Sequence, residues 1–567
     1  MNDWKTNMFR NSSRSAYTRT ESYIDRYFPV FLLIGIVANA MALFSPVMDQ
    51  DSALYAGISK QIALSGDWIN LMMNGTDWLD KPHLPFWFTA LSFKVFGISA
   101  FTYKLPSFLC WLVGVWYTYR LAKLLYDKTM AQVATLIFVT SLHVLLANYD
   151  VRAEGYLTTF IVASLYYLFR LQNERKWIHV VWAALFCAMA VQTKGLFVLI
   201  TIAAGFVIYW LLTRQWHYFY NIQWWSVLLL AIVFTLPELY CLYIQFDIHP
   251  EKTVFGQQHV SGIRFFVWDS QFGRFFNTGP IKGNGDPSFF IHTTLWAFLP
   301  WSFVLLTAVI SAIRSIRQHA ADEKVILAGS ALVTFLIFSV SKFQLPHYIV
   351  ILFPHFSIFS AAWLLQIKNA RSWKSLNIAA WVLHGVLVSA IIALLIVYHF
   401  DHPWPIILLT VIITAALLLF QNKDKITSFV WQAICFALLA SCFIHQFIYS
   451  ELMKYDAGKN AAEWIKRQPD RKNAVMMDVL NYSFNFYLTD LTYCLPEFKP
   501  EQIEKGKSLL VYCPAGSLQR LQVPGVKAEV VKEFDYYRIT MLKGKFLNNA
   551  TRSSLLEKFI VVRCRRI

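Results

Sequence analysis

Two short acidic segments of the sequence carry residue types that could catalyse a group transfer. Asp49 and Asp51 lie in MDQDSALYAGIS, just after the first long apolar run, and Asp150 and Glu154 lie in NYDVRAEGY, after a later one. Glu154 opens another apolar run, where an unpaired charge is costly, so we expect it to face a polar cavity. Carboxylates that converge on one cavity suit general-base catalysis, metal binding or both. The alternative is that these acids are merely solvated.

Basic and tyrosine side chains in three polar segments could bind a phosphate or diphosphate group. These candidate ligands are Lys81, Arg274, Lys342 and Tyr348. Neighbouring polar residues are further candidates for the same site: Asp49, Tyr55, Asp80, His83, Asp150, Arg152, Asp269 and His347. A single basic residue in a loop is more often structural, so this prediction requires the segments to lie on one face of the protein.

The composition indicates which elements position these residues. Hydrophobic residues make up 57% of the 567, charged residues only 15%, and mean hydropathy is +0.44, whereas soluble domains carry about a quarter charged residues. The apolar residues form runs of about 17 to 25, long enough to cross a bilayer as helices. We therefore predict an α-helical polytopic membrane protein. In such a protein the net charge of +17 fits cytoplasmic loops and anionic lipid headgroups rather than nucleic acid.

Thirteen apolar runs are predicted transmembrane helices. They lie at about 28–46, 105–125, 130–148, 155–170, 177–193, 195–213, 224–244, 289–313, 325–341, 345–366, 378–398, 404–420 and 428–449. The shorter segment 84–97 contains Lys94 and is amphipathic, so we expect it to lie in the membrane interface. With Arg10, Arg14 and Arg19 in the cytoplasm, thirteen spans place the basic short loops on the cytoplasmic side, as the positive-inside rule requires.

This topology brings the candidate residues to one face of the membrane. The two long loops, 47–104 and 245–288, lie on the outer side with the short loops Asn148 to Glu154 and Lys342 to His347. Every candidate for catalysis or phosphate binding then lies in an outer loop or at the outer end of a span. We predict one site on that face.

The chain divides into two predicted domains. Residues 1–450 form the transmembrane domain, and residues 451–567 have the composition of a soluble protein. We predict that the second part is a small extracytoplasmic α/β domain, with strands in KNAVMMDVLNYSFNFYL, KSLLVYCPAG and AEVVKEFDYYRITML and a helix in DAGKNAAEWIKRQ. A disulfide between Cys494 and Cys513 is an open alternative in an oxidising compartment.

The order of the motifs resembles that of the GT-C membrane glycosyltransferases of family 39. This family includes the protein O-mannosyltransferases and the bacterial aminoarabinose lipid A transferases. The matching stretches, in order over about residues 40 to 360, are DSALYA at 51–56, GDW at 66–68, KPHLP at 81–85, NYDVRAEGYL at 148–157, TKG at 193–195 and SKFQLPHY at 341–348.

Three positions depart from the family pattern. Ser52 stands where the family has Glu after its first catalytic Asp, Glu154 where it usually has Asp, and His83 where it has the second Pro of a Lys-Pro-Pro string. The aminoarabinose transferases also carry a His near the Arg that Arg274 resembles, and Asp269 and Ser270 lie there instead. A zinc site at this point is therefore not expected.

The resemblance implies transfer of one sugar from a polyprenyl-phosphate donor to an acceptor. Asp51 would be the general base for an inverting attack, and Glu154 would position the acceptor or the sugar. Lys81, Arg274 and Tyr348 would bind the donor phosphate and stabilise its departure. No cofactor is expected with certainty, although a divalent metal ion at Asp51 and Glu154 stays an alternative.

The resemblance also implies partners and a location. The protein would lie in a bacterial inner membrane as a monomer, with its N-terminus cytoplasmic and its C-terminal domain periplasmic. The acceptor could be lipid A, another glycolipid, a polysaccharide or a protein. The main rival function is a transporter or flippase of lipid-linked sugars, but the chain has no internal repeat of the kind common in transporters.

Overall fold

The fold is mainly α-helical, with a small sheet near the C-terminus. The structure, a computed structural model, describes residues 21–315, 322–420, 424–504 and 506–567. The basic residues before Glu21, among them Arg10, Arg14 and Arg19, lie outside the described residues, so their predicted cytoplasmic position stays a prediction.

The main body is built from helices, most of them joined by short connections, with longer segments after α2 and after α10. In chain order they are α1 (Glu21–Ala40), α2 (Asp51–Ser65), α3 (Leu84–Phe96), α4 (Ala100–Leu125), α5 (Lys128–Thr140), α6 (Leu142–Tyr149), α7 (Ala153–Glu174), α8 (Trp177–Lys194), α9 (Val198–Leu212), α10 (Ile222–Leu242), α11 (Phe289–Ala297), α12 (Ser302–Ser315), α13 (Lys324–Val340), α14 (Phe353–Gln366), α15 (Ala370–Tyr398), α16 (Trp404–Leu419) and α17 (Lys425–Ser441).

Each of the thirteen predicted apolar runs falls on helical structure. Among the described residues, six helical segments are long and apolar enough to cross a membrane, or seven if α5 and α6, which meet at 54°, form one broken span. Five more apolar helices are shorter than a full span, including α9 and α13. The chain is a multi-pass membrane protein, and the number of thirteen spans stays a prediction.

Burial separates central helices from peripheral ones. Every residue of α5 from Thr129 to Thr140 is buried, as expected for a helix that is apolar on all sides and surrounded by other helices. In contrast, α15 exposes large apolar side chains such as Val382, Val386 and Ile396. These exposed side chains are suited to contact with lipid.

The first outer loop folds into α2, a short hairpin and α3. Leu54, Ile58 and Ile62 of α2 are buried, whereas Leu64, next to the end of the helix at Ser65, is 48% exposed. Gly66 stops the helix in the left-handed conformation (φ 76°), which glycine adopts without a side-chain clash. The hairpin strands β1 (Met72–Met73) and β2 (Thr76–Asp77) follow, and the chain then enters α3.

The C-terminal region contains a five-stranded mixed sheet. After helix α18 (Ala457–Ile465), the strands are β3 (Ala474–Met477), β4 (Cys494–Leu495), β5 (Ser508–Pro514), β6 (Val526–Tyr536) and β7 (Glu557–Arg566). Their spatial order is β4-β3-β5-β7-β6, with β3 parallel to β4 and β5 and with β7 antiparallel to β5 and β6. Alternate residues pack on opposite faces, Val511 with one core and Leu510 with another, as the two-residue period of a strand requires.

Two sequence predictions for this region are wrong. The string NYSFNFYL, predicted as strand, instead forms the short helix α19 (Tyr482–Tyr487), because the Asn481 side chain accepts a hydrogen bond from the Phe484 backbone N–H (2.7 Å) and caps it. Strand β7 was not predicted, although it joins the two halves of the sheet. Cys494 and Cys513 are both free thiols, so the alternative of a disulfide between them is also wrong.

The C-terminal region is fastened to α2 by a buried lysine. Lys60 is fully buried, and its Nζ donates hydrogen bonds to the backbone oxygens of Asn485, Leu488 and Asp490 at 2.7, 2.8 and 3.0 Å. These three carbonyl groups satisfy all three N–H donors of an ammonium group. The helix that begins at Asp51 is therefore held by residues that follow it by more than 400 positions.

Candidate active site

A cavity lined by basic and apolar residues, which we call the basic cavity, lies under the first outer loop. Lys81 and Arg274 both bind the Asp80 carboxylate, Lys81 at 2.5 Å, so two cations share one counter-ion. The Nε–H of Arg274 is buried and has no hydrogen-bond partner among the described residues. Burial lowers the pKa of Lys81 and of Arg274, because both cations are partly removed from water. An anion in this cavity would supply the missing charge and the missing acceptor.

The walls of the basic cavity come from five separate parts of the chain. The polar lining residues are Asp80, Lys81, Lys194, Glu238, Ser270, Gln271, Arg274, Ser341 and Tyr348. The apolar lining residues include Leu79, Phe197, Leu242, Phe265, Phe266, Ile337 and Phe338. A group with an anionic head and an apolar tail matches this lining.

A buried ion pair holds Lys194, one of the residues that line the basic cavity. Glu154, at the start of α7, is 3% exposed and binds Lys194 at the end of α8, with His347 Nε2 at 3.7 Å from the carboxylate. Lys194 Nζ also lies 3.5 Å from the centre of the Tyr348 ring, where an ammonium group is attracted by the ring face. Glu154 does not itself line the basic cavity: its carboxylate is engaged by Lys194, which does.

Gly195 lets the second outer loop close over Lys194. Gly195 has φ 108°, and a Cβ at this position would clash with the Gln271 side chain. Gln271 instead donates to the Lys194 backbone oxygen (3.2 Å). The glycine after Lys194 therefore has a physical role, since any side chain there would displace the Gln271 amide from this contact.

Asp51 lies at a more open position than Glu154. It is the first residue of α2, and its side chain is 44% exposed. Arg152 donates to Asp51 (2.5 Å) through Nη1 and to Asp150 (2.7 Å) through Nε. Lys81 is close enough to Asp51 and Tyr348 for both to act on its pKa. Asp51 can therefore reach a substrate whose anionic part occupies the basic cavity.

His83 fastens the Lys81 segment to α10. Its backbone N–H and its Nδ1 both approach the Glu238 carboxylate, at 2.9 and 3.0 Å, and its Nε2 lies 2.9 Å from the Ile69 oxygen. Both ring nitrogens thus face acceptors, which only the imidazolium form can satisfy. Burial opposes the charged ring, but the Glu238 carboxylate outweighs it and raises the pKa of His83. His83 is a positioning residue in this structure.

The remaining predicted site residues lie elsewhere. Lys342 is exposed and does not line the basic cavity, because the chain turns there and directs Ser341 and Tyr348 inward instead. Asp269 faces Arg264 at 3.7 Å. Tyr55 packs edge-on against Phe86 and does not line the basic cavity, although Asp51 and Arg274 are close enough to act on its pKa. Asp49 lines a second cavity described below.

No metal site is evident in the described parts of the chain. There, no group of three or more His, Cys, Asp or Glu side chains is arranged to hold a metal ion. Asp51 and Glu154 are each paired with a different cation, Arg152 and Lys194. The two carboxylates therefore do not form a shared pair of ligands.

Two cavity-lining residues were not among the predicted site residues, although Lys194 belongs to the matched TKG motif. Lys194 and Glu238 each follow a long apolar stretch, and both line the basic cavity. An ionisable residue at membrane depth usually faces a cavity or a partner, and this signal was present in the sequence at both positions. The partners themselves, Glu154 and His83, could not be assigned without the fold.

Comparison with known proteins gives a match to one family model and several distant relatives. Residues 80–241 match a family model described as dolichyl-phosphate-mannose-protein mannosyltransferase. An uncharacterized protein of Aquifex aeolicus is 27% identical over 383 residues, 66% of this chain and 69% of that protein. The undecaprenyl phosphate-α-4-amino-4-deoxy-L-arabinose arabinosyl transferase of Pseudomonas aeruginosa is 26% identical over 306 residues, 53% of this chain. The match spans about half of that transferase, 52% of its length.

The fold comparison extends over almost the whole chain. The crystal structure of ArnT from Cupriavidus metallidurans bound to undecaprenyl phosphate matches with a TM-score of 0.72 at 17% sequence identity, covering 96% of this chain and 98% of that one. The predicted helical GT-C fold with a small C-terminal sheet is confirmed. The chain therefore has the GT-C fold, and in sequence it resembles both the aminoarabinose transferases and the protein mannosyltransferases.

Proposed function

We propose that this protein transfers a single sugar from a polyprenyl-phosphate donor to an acceptor. The observation that carries the proposal is the basic cavity, where Lys81 and Arg274 share one carboxylate and a buried Arg274 N–H lacks an acceptor. The apolar lining suits a polyprenyl chain, and the basic end suits its phosphate. The names of the matched relatives, which include undecaprenyl-phosphate sugar transferases, support the same donor class.

The chemistry follows from the position of Asp51. An acceptor group bound beside Asp51 would lose its proton to this carboxylate as it attacks the anomeric carbon from the side opposite the phosphate. Attack from that side inverts the anomeric centre. Negative charge then accumulates on the departing phosphate, where Lys81, Arg274 and Tyr348 stabilise it.

Glu154 has a supporting role in this proposal. Its buried carboxylate holds Lys194 against the Tyr348 ring, so it positions two members of the phosphate site. It does not contact the acceptor. The substitution of Asp by Glu at this position lengthens the side chain by one methylene and is accommodated by the Lys194 pairing.

We further propose the predicted location and organisation. The basic cavity and Asp51 would face the periplasm in a bacterial inner membrane, with the N-terminus in the cytoplasm. Residues 1–450 would be the membrane domain and residues 451–567 an extracytoplasmic domain that packs on α2. The rival function of a flippase is not favoured, because the charged residues of the cavity lie at helix ends and in loops rather than along a path through the helices.

The test is transfer of labelled sugar from synthetic undecaprenyl-phosphate sugars to membrane components by the purified protein in nanodiscs. Wild-type protein should give labelled product, and Asp51→Asn should lower the rate by about a hundredfold or more while binding of undecaprenyl phosphate persists. Full activity of Asp51→Asn would overturn the base assignment. Movement of intact donor across the bilayer without product would favour a flippase.

A further inference from the structure

A second cavity opens on the other side of Asp51. This acidic cavity has a volume of about 440 Å³, within the range of roughly 300–1,000 Å³ typical of sites for small ligands. Asp49, Asp51 and Trp78 of the first outer loop line one side of it, and Tyr482 and Tyr536 of the C-terminal region line the other. Asp51 lines this cavity, and it is also close enough to Lys81 of the basic cavity to act on the pKa of that lysine.

Two polar atoms of the acidic cavity have no partner. Oδ1 of Asp49 and Nε1 of Trp78 are buried and make no hydrogen bond within the described structure. A buried polar group left in this state costs about 1–3 kcal/mol. The Asp49 oxygen accepts hydrogen bonds and the Trp78 N–H donates one. A ligand that satisfies both must therefore carry a donor and an acceptor. Hydroxyl groups have this property.

The aromatic lining of the acidic cavity further restricts the chemical class of the ligand. The side chains of Trp78, Tyr482 and Tyr536 are each only partly buried. Aromatic faces pack against apolar C–H surfaces, while indole N–H and carboxylate groups bind hydroxyls. A sugar ring presents C–H faces and hydroxyl edges together. The combination therefore suits a carbohydrate better than a fatty acyl chain, which has no groups for Asp49 and Trp78.

The charge of the acidic cavity argues against an anionic ligand. Asp49 and Asp51 both line it, and none of its described lining residues is a Lys or Arg. Of the cations nearby, Arg152 binds Asp51 and Asp150, and Arg538 donates to the neutral side chain of Gln50 at 3.3 Å. A phosphate group placed here would meet Asp49 and Asp51, whereas the lining of the basic cavity includes Lys81, Lys194 and Arg274.

Asp49 itself is suited to hydroxyl binding. Burial and the nearby Asp456 carboxylate raise its pKa to about 7. Near neutral pH the carboxyl group is therefore present in both protonation states. It can accept a hydrogen bond from one hydroxyl and, when protonated, donate to another.

We infer that the acidic cavity is the acceptor site and that the acceptor nucleophile is a carbohydrate hydroxyl rather than a phosphate. This inference rests on the proposed transferase function. The acceptor oxygen forms a bond to the anomeric carbon, its proton passes to the Asp51 carboxylate, and the bond from the anomeric carbon to the phosphate oxygen breaks. Polyprenyl phosphate leaves as the dianion, so atoms and charge balance.

The linkage in the product tests the inference. Purified protein in nanodiscs receives donor with labelled sugar, a total glycolipid and polysaccharide extract, and a membrane protein extract. Unused donor is then removed by chromatography. A glycosidic bond to a carbohydrate hydroxyl survives both mild acid and mild alkaline β-elimination, which is the expected result. Label released by mild acid would identify a glycosyl phosphate and overturn the inference. Label released by β-elimination from added protein would also overturn it.

Variants locate the acceptor site independently. Asp49→Asn and Trp78→Phe should each raise the KM for the acceptor extract by about tenfold, with undecaprenyl phosphate binding unchanged as evidence of intact folding. The matched control is Glu497→Gln, which changes an exposed carboxylate of the same region and should leave transfer unchanged. An unaltered KM in both cavity variants would overturn the assignment of the acidic cavity as the acceptor site. No product from wild-type protein would reject the proposed function and the acceptor site with it.

Discussion

The cations of the basic cavity and the lysines that hold helices together are all largely buried, yet they have different partners. Lys81, Arg274 and Lys194 bind carboxylates beside a cavity. Lys60 binds three backbone oxygens, and Lys104 donates to those of Ala42, Ser45 and Pro46 at 2.9, 2.9 and 3.3 Å.

The difference separates binding cations from structural ones. A carboxylate shared by two cations leaves net positive charge that a ligand can use, whereas three carbonyl groups leave an ammonium group no free donor. Sequence spacing does not reveal this difference, because all these residues are single basic residues near apolar runs. We expect substitutions in the first group to affect mainly activity and those in the second mainly stability.

The largest expected effect is a loss of sugar transfer when Arg274 is replaced. Arg274→Gln should lower transfer by about a hundred- to a thousandfold, because it removes a charge that stabilises the leaving phosphate, while thermal unfolding changes little. Arg264→Gln is the matched control, since Arg264 lies in the same loop but is 76% exposed. The measurements are transfer from labelled donor and the melting temperature. A lower melting temperature with unchanged sugar transfer in the folded fraction would contradict the distinction between binding and structural cations.

A smaller effect, on stability, is expected at Lys60. Lys60→Met should lower the free energy of unfolding by about 2–3 kcal/mol, because three buried carbonyl oxygens lose their donor. Thermal unfolding in detergent measures the change, and Lys499→Met, on an exposed lysine of the same region, serves as control. Below the melting transition, binding of undecaprenyl phosphate should be close to wild type. Loss of undecaprenyl phosphate binding without loss of stability would show that Lys60 is a binding cation rather than a structural one.

The smallest effect is expected at His83, a cation that binds a carboxylate but no cavity ligand. Its pKa is raised in the folded protein by Glu238. The stabilisation that charged His83 gives the folded protein is therefore fully present below the pKa of about 6.5 that histidine has in the unfolded chain. It is lost as the pH rises through the higher pKa of His83 in the folded protein. His83→Gln should lower the free energy of unfolding by about 1–2 kcal/mol near pH 6. The difference in melting temperature from wild type should narrow toward alkaline pH, and a constant difference would exclude a charged His83.

Much of the fold followed from local patterns in the sequence. The apolar runs marked the helical segments, and the motif order around Asp51 and Lys81 identified both the GT-C fold and the loop that carries the site. These features depend on residues close in sequence. The helix at Tyr482–Tyr487 was mistaken for a strand because alternation over a few residues cannot outweigh a capping asparagine.

The rest depended on contacts between distant parts of the chain. The pairing of Glu154 with Lys194, and of His83 with Glu238, joins residues 40 and 155 positions apart. Lys342 was selected by its motif, but side-chain direction within that turn is set by tertiary packing and leaves it outside the cavity. The acidic cavity combines residues from both ends of the chain, so no local pattern could have indicated it.

The attachment of Lys60 to Asn485 spans 425 positions, which has a consequence for biosynthesis. During translation, α2 and its Asp51 are made long before the carbonyl groups that hold this helix exist. Long-range contacts of this kind form late and slowly. The position of α2 therefore matures only after residues 485–490 have been synthesised and the C-terminal region has folded, and a chain terminated before them would lack the contacts that hold this helix.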